Sequence, residues 1–559
     1  MTNGETRRAE TSASARRGTR FASSGRTFSR LLLLVLVWLG YVGCEHREPP
    51  LRSTAVKECL KARHGVYQEE LDRFYAEREH QPAWTDDFDI NQRGRDLLDE
   101  LYAADQEGLD STAYGLVALE RSIRTTYLGD REVRSFTRHV AELDIALSEA
   151  FFRYAHDLAK GRVPPGGAYL LERTGDRGLD LVSRIKEALG RGVAATLQDI
   201  ASRHHGYRDL RDALARYRNL QAEGGWSAVP DGDKLVKGSS GPRVVALRRR
   251  LAITGDLQGP ADDPLYDQAV VEAVMHFQRR NGLPIDGVAG EGTLAVLNLP
   301  VEARIGQIEI NLERRRWLAE TLGQEYVLVN IPELWLEGRR GGELRLEMPV
   351  IVGAPSRPTP LFADEMSSVV FHPYWNVPAS IAVDEILPKA QADPRYLTRN
   401  DYEVVGSEGE PMEASSLREE DLRNETIRIR QKPGPKNSLG KVKFLFPNQF
   451  DVYFHDTPAG ALFQQPERDL SHGCIRVERP GDLAELVLEG QWSRQQIEEA
   501  LAAGEEQHVA LEKPVPVYLL YHTAWAEEDG TVQFREDIYG LDRQLWNALH
   551  PRCSLPPLP

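Results

Sequence analysis

The sequence predicts a multidomain α+β chain, on three observations. Its 559 residues exceed what one hydrophobic core usually holds, so several domains are expected. From about residue 56 to 225, apolar residues recur at three- and four-residue spacing with few strand signals. From Tyr326 onward the pattern changes towards period two, the mark of strands with one buried face. The balance of 69 Lys and Arg against 85 Asp and Glu leaves a net charge of −16, which argues against a general nucleic-acid binder, since that needs a basic face.

The N-terminal 44 residues differ from the rest. The first thirty hold seven Arg, no Lys, and only Glu5 and Glu10 as acids, and the apolar run Leu31 to Val42 follows. A basic stretch before a short apolar one reads as a secretory leader, and the run is short for a membrane span of about 20 residues. Tyr41-Val42-Gly43-Cys44 resembles a bacterial lipobox, with Tyr41 departing from the usual Leu; this makes Cys44 a lipidation candidate and membrane attachment through the N-terminus an expectation. Ordinary cleavage and an uncleaved anchor are the alternatives, and all three export the bulk of the chain. The four cysteines, Cys44, Cys59, Cys474 and Cys553, are too few for a disulfide framework.

In the 56–225 region the clearest helix is Ala141 to Lys160. Leu143, Leu147, Ala150, Phe151, Tyr154 and Leu158 form its apolar stripe, and Gly161 with Pro164-Pro165 stops it. No catalytic group stands out, so this region reads as a scaffold. A turn-rich linker around Gly224-Gly225 leads into the unit at 233–300. There Val244, Leu247 and Leu251 mark one short helix, and Val270, Val274 and Phe277 a second. Asp286-Gly287 makes a turn, and Thr293 to Leu297 gives a third helix. Ile305 to Leu322 reads as a polar, Arg-rich connecting helix. In the region 304–540, Val327, Val329 and Ile331 share one strand face, and Met348 to Gly353 and Ser368 to Phe371 are further strands. Between about 378 and 432 the alternation lapses. Ile381 to Lys389 looks helical and Pro394 to Gly409 loop-like, so the stretch reads as an insertion capping the sheet.

Chemistry concentrates at two points of the β region. Asp451-Val452-Tyr453-Phe454-His455 is a strand signature that puts Tyr453 and His455 on the face opposite Val452 and Phe454. Fifteen residues separate His455 from Ser471-His472-Gly473-Cys474-Ile475-Arg476. A cysteine acting in acyl transfer needs a base or cation beside its thiol, donors facing the developing oxyanion, and an orienting group for the base. His455 is the candidate base. Gly473 lets the backbone approach closely, so the amides of Gly473 and Cys474 are candidate oxyanion donors. Arg476 adds positive charge and, if it points inward, a fork for a substrate carboxylate. A lone cysteine is usually a small buried hydrophobe, but one flanked by Ser471-His472-Gly473 in an exported chain is not typical core. A zinc site from His455, His472 and Cys474 is the rival reading, with no further ligand cluster to complete it.

A His followed at this spacing by Ser-His-Gly-Cys-x-Arg resembles the signature of the L,D-transpeptidase (YkuD) family. The likeness extends upstream to Pro373-Tyr374-Trp375-Asn376-Val377-Pro378 and downstream to Val517 through Gly540. Phe74-Tyr75 and Pro82-Ala83-Trp84 resemble the scaffold domain of large YcbB-like members. Gly241 to Leu251, Val274-Met275-His276-Phe277-Gln278 and Gly282 to Gly287 resemble a peptidoglycan-binding type 1 module, against which stands a three-helix spacer without ligand affinity.

The resemblance implies a mainly β catalytic domain at 304–540 with a capping insertion, no cofactor and no metal. It implies Cys474 as nucleophile and His455 as general base oriented by the carbonyl of Asp456, with Ser471, His472, Gly473 and Arg476 in supporting positions. Tyr453, Trp375 and Asn376 are candidate substrate-binding residues. The implied reaction forms 3→3 cross-links from peptidoglycan tetrapeptide stems, as donor and acceptor, in the periplasm, alongside other wall-synthesis enzymes. An L,D-carboxypeptidase, an enzyme attaching proteins to the wall or releasing them, and a non-catalytic wall-binding scaffold are the alternatives.

Overall fold

The computed structural model describes residues 52–551, apart from 87–88, 129–132, 166–168, 171–177, 202–205 and 319–321. The leader and Cys44 lie outside the described residues, as does Cys553. Among the described residues no helix is long and apolar enough to cross a membrane.

The N-terminal region is helical, and its core lies against the helix Val133–Lys160, whose stripe Leu143, Leu147, Ala150, Phe151, Tyr154 and Leu158 is buried. This helix also carries a buried carboxylate that organises its neighbours. Asp144 accepts the backbone N–H groups of Ala83, Trp84 and Thr85 at 2.8–3.0 Å and the Tyr75 hydroxyl at 2.6 Å. Three amides of a turn are thereby satisfied away from water, and Trp84 is fully buried beside Ser148, to which its indole N–H donates at 2.8 Å. The helix ends at Gly161 with φ +79°, where a Cβ would lie 2.6 Å from the Glu313 carboxylate.

Pro242–Ile253, Gln268–Arg280 and Glu291–Leu297 form the small three-helix unit around Leu247, Leu251, Val270, Val274 and Phe277. Its polar anchor is Asp256, which accepts two hydrogen bonds of 2.6 Å from Arg280 and one of 2.7 Å from His276.

The Arg-rich segment differs from its sequence expectation. The helix runs Val301–Arg316 and, apart from exposed Glu302, every residue of it is buried. It is a central post, not a polar connector, because most of its charges meet partners from other parts of the chain. Arg304 donates to Asn281 of the three-helix unit at 2.6 Å, and Glu309 accepts from Arg218 of the helical region at 2.6 Å. Arg314 pairs with Asp542 near the C-terminal end, and Asn311 donates to Thr523 at 2.7 Å. Gly306 leaves room for Trp546, which a Cβ would approach to 2.9 Å.

Beyond this post a mixed sheet closes on itself. Its order is Leu361–Phe371, Val442–Leu445, Phe454–His455, Ile475–Val477, Glu343–Gly353, Trp335–Arg340, Tyr326–Asn330 and Gln507–Leu520, and the last strand pairs back to the first. Alternating residues such as Val327, Val329, Met348, Val350, Val369, Phe371, Phe444 and Phe454 fill the interior. The capping segment is not loop-like. Trp375–Asn376, Tyr402–Gly406, Pro411–Met412 and Ile427–Gln431 form a second sheet with its own core of Val377, Val383, Ile386, Leu387, Val404, Leu422 and Ile429. These strands are two to five residues long and separated by charged turns, too short for a clear alternation.

Candidate active site

The shortest strands of the closed sheet carry the site. Ladder pairing begins only at Phe454, since Asp451 has φ +56° and bends the chain just before it. Phe454–His455 runs parallel to Ile475–Val477, with Phe454 opposite Ile475 and His455 opposite Arg476. The Ile475 N–H bonds the Tyr453 carbonyl at 3.2 Å, so Cys474, immediately before the strand, lies beside Tyr453. Side chains alternate along each strand, which puts Tyr453, His455, Cys474 and Arg476 on one face. On the other side of His455, Val442–Leu445 runs antiparallel, and its Lys443 is directly opposite His455.

His455 is buried, and its Nδ1 lies 2.5 Å from the carbonyl oxygen of Asp456. That contact fixes Nδ1 as the protonated nitrogen and leaves Nε2 as the acceptor. Burial, followed by the charge of Arg476, lowers the imidazole to about 3; the Asp456 carbonyl raises it in part, and Lys443 adds the least, in the lowering direction. The Asp456 carboxylate turns away and accepts the N–H groups of Lys441 and Thr457, each at 2.7 Å.

The Cys474 thiol sits 3.8 Å from the carbonyl oxygen of Asp451. Burial pushes the thiol up; the backbone and hydroxyl of Tyr453 and the charges of Lys443 and Arg476 act in the opposite direction. Tyr453 sits beside Cys474, and its hydroxyl is under the electrostatic influence of both the sulfur and Trp375 of the capping sheet. Tyr453 and Trp375 thus belong to the thiol's surroundings. Asn376 is exposed, one step along from Trp375 on the alternate face of its strand.

Ser471 shapes the turn before the nucleophile. Its hydroxyl donates to the Cys474 carbonyl at 2.5 Å and accepts the Gly473 N–H at 3.1 Å. This corrects one expectation: the Gly473 amide is committed to Ser471, whereas the Cys474 amide makes no hydrogen bond with any described residue. Gly473 has φ +115°, a conformation that favours glycine, and its carbonyl accepts from Thr359 at 2.8 Å. His472 is engaged by the cap. Its Nε2 lies 2.6 Å from Glu385 of the capping segment, so the structure does not bring it together with His455 and Cys474 as a ligand set.

Three contributors were not apparent in the sequence. Lys443 holds its ammonium 3.8 Å from the centre of the Tyr453 ring, Thr359 supports the glycine turn, and Glu385 meets the nucleophile loop from the cap. Lys443 reads as an ordinary outward residue of Val442-Lys443-Phe444. The one available signal was its alternation with two buried apolar neighbours on a strand beside that of His455.

With this geometry in place, comparison with known proteins bears on the class of the catalytic domain. A family profile described as "L,D-transpeptidase catalytic domain" matches residues 324–497, which contain both His455 and Cys474. The chain carries a YkuD-type L,D-transpeptidase catalytic domain. A "Scaffold domain" profile matches 69–214, and one described as "Putative peptidoglycan binding domain" matches 240–297. A curated relative from Haemophilus influenzae, named "Putative L,D-transpeptidase", is 34% identical over 319 residues, covering 53% of this chain. The chain spans 64% of that relative's length. Solved structures with low similarity include an L,D-transpeptidase (residues 123–326) from Xylanimonas cellulosilytica, 16% identical with a TM-score of 0.16 over 52% of this chain and 99% of that one. An L,D-transpeptidase from Stackebrandtia nassauensis is 14% identical with a TM-score of 0.21 over 53% of this chain and 97% of that one. The L,D-transpeptidase domain is thus joined to a scaffold domain and a peptidoglycan-binding-type module in one α+β chain.

Proposed function

We propose that the protein is a periplasmic L,D-transpeptidase that forms 3→3 cross-links between peptidoglycan stems through a Cys474 acyl-enzyme. The observation that carries this is the register that sets Cys474 one step from His455 on adjacent strands, with the imidazole Nε2 left as acceptor. In the first step His455 Nε2 takes the thiol proton. The sulfur attacks the carbonyl carbon of the third residue of a tetrapeptide stem, and the oxyanion faces the free Cys474 amide. The C–N bond breaks, the Nε2 proton passes to the departing D-alanine amine, and a thioester remains. The side-chain amine of a second stem's third residue then attacks the thioester, gives its proton to Nε2, and releases the thiolate. Arg476 has a buried Nε without a hydrogen-bond partner among the described residues and suits a stem carboxylate.

The test is mass spectrometry of products from purified protein incubated with disaccharide-tetrapeptide muropeptides, beside a Cys474→Ala variant. A dimer lacking one D-alanine, formed only by the unmodified protein, is the expected result. Tripeptide monomers without dimer would make the enzyme a carboxypeptidase, and equal products from both proteins would remove Cys474 from the chemistry.

A further inference from the structure

Lys443 is placed where a lysine needs a reason. It lies on Val442–Leu445 directly opposite His455, and Arg476 lies opposite His455 on the other side. The imidazole is therefore flanked across the sheet by two cations. Lys443 is only partly exposed, and its ammonium stacks over Tyr453 at 3.8 Å. Among the described residues no carboxylate lies within ion-pair distance of it, and its ammonium makes no hydrogen bond. The acids within electrostatic reach are Asp451, which is exposed, and Glu506, whose carboxylate accepts the Tyr374 N–H at 2.9 Å and lies 3.6 Å from His508. Lys443 lies over the ring of Tyr453, which sits beside Cys474 across the paired strands, so the sulfur, once ionised, is a negative charge on the face that Lys443 occupies.

We propose that Lys443 is a positioning residue of the acyl-transfer centre, acting as counter-charge to the Cys474 thiolate and keeping positive charge off His455. A partly buried ammonium without an anion is costly, and a thiolate formed beside it recovers that cost. The same field opposes an imidazolium, so a proton on Nε2 is readily given up to the departing amine. Arg476 acts in the same sense from the opposite strand, and the Tyr453 ring holds the lysine stem in place. Nothing covalent changes at Lys443.

This inference rests on Cys474 being the nucleophile, and the test separates the two. Iodoacetamide alkylation of the purified full chain is followed by peptide mass spectrometry across pH 4–10 for the parent, Lys443→Met and Lys443→Arg. Lys443→Gln is carried alongside should the methionine variant fail to fold. Removing the charge is expected to slow Cys474 alkylation at pH 7.5 by about tenfold, one decade per unit of thiol shift, and to move the rise of the profile to higher pH. Arginine is expected to restore most of the rate. A neutral variant whose profile superimposes on the parent overturns the proposal, as does a folded arginine variant as slow as methionine, which would mean packing alone. If Cys474 of the parent is alkylated no faster than Cys59, the nucleophile reading itself fails.

Discussion

Tyr453→Phe isolates a single atom at the centre of the site. The ring stays, so the stacking of Lys443 at 3.8 Å and the buried aromatic surface stay with it. What is lost is the hydroxyl, which acts on the Cys474 thiol and is itself influenced by Trp375. A hydrogen bond to a group that becomes charged is worth about 1.5–3 kcal/mol net. At roughly 1.4 kcal/mol per decade, thiolate-dependent steps should slow by about 10- to 150-fold. The assay is the second-order rate of Cys474 alkylation at pH 7.5 with Cys59 as internal reference, with muropeptide turnover measured in parallel. Thermal stability should change little, because the backbone of Tyr453 keeps its bond to Ile475. Trp375→Phe acts through the same hydroxyl, so adding it to Tyr453→Phe should cost almost nothing more. A Tyr453→Phe rate within twofold of the parent would refute a hydrogen bond from the hydroxyl to the thiolate, and additive losses would refute a role of Trp375 through that hydroxyl.

With His455 at about 3, the pH profile of Cys474 alkylation in the parent should show no inflection between pH 5 and 7, where a free imidazole titrates. The same lowering makes stability fall as pH drops through about 6.5 towards 3, because the unfolded chain binds the proton first; His455→Gln should flatten that part of an acid denaturation curve. In the three-helix unit, burial raises the Asp256 carboxyl, but Arg280, His276 and Thr254 more than offset this and hold it at about 2. Its stabilising contribution is therefore present above about pH 4 and lost as pH falls towards 2, and Arg280→Met should cost about 3–5 kcal/mol, read as faster hydrogen exchange in peptides from 233–300. The His472–Glu385 contact is partly exposed and worth less than about 1 kcal/mol, so Glu385→Gln should change turnover by less than fivefold. A loss above tenfold would make this contact part of the acyl-transfer centre.

The features most legible in the sequence were those written in one short segment. Ser471 to Arg476 carries its turn, glycine and nucleophile together, and the strand with His455 shows its facing by alternation. The long helix around Leu147 and Phe151 and the three helices around Leu247, Val274 and Leu297 declare themselves by periodicity. What stayed hidden depends on partners far away in the chain. Val301–Arg316 looks solvent-exposed because its charges are countable and their partners, Asn281, Arg218, Thr523 and Asp542, are not adjacent. The Gly473 amide looked free for an oxyanion because the Ser471 hydroxyl's position two residues back is a matter of turn geometry. Lys443 matters through a lateral neighbour, and lateral register is set by pairing that no single strand records.

The buried post Val301–Arg316 separates two meanings of the word domain. The catalytic family match begins at residue 324, after this helix has ended. A fragment cut at that boundary would keep the nucleophile and lose the helix on which Thr523, the Arg535 carbonyl and Asp542 dock. It would expose polar groups that now satisfy one another and leave the C-terminal end unanchored. The unit of inheritance in this chain is thus shorter than the unit of folding, and a mutation in the post should be felt at once in the scaffold, the small module and the sheet.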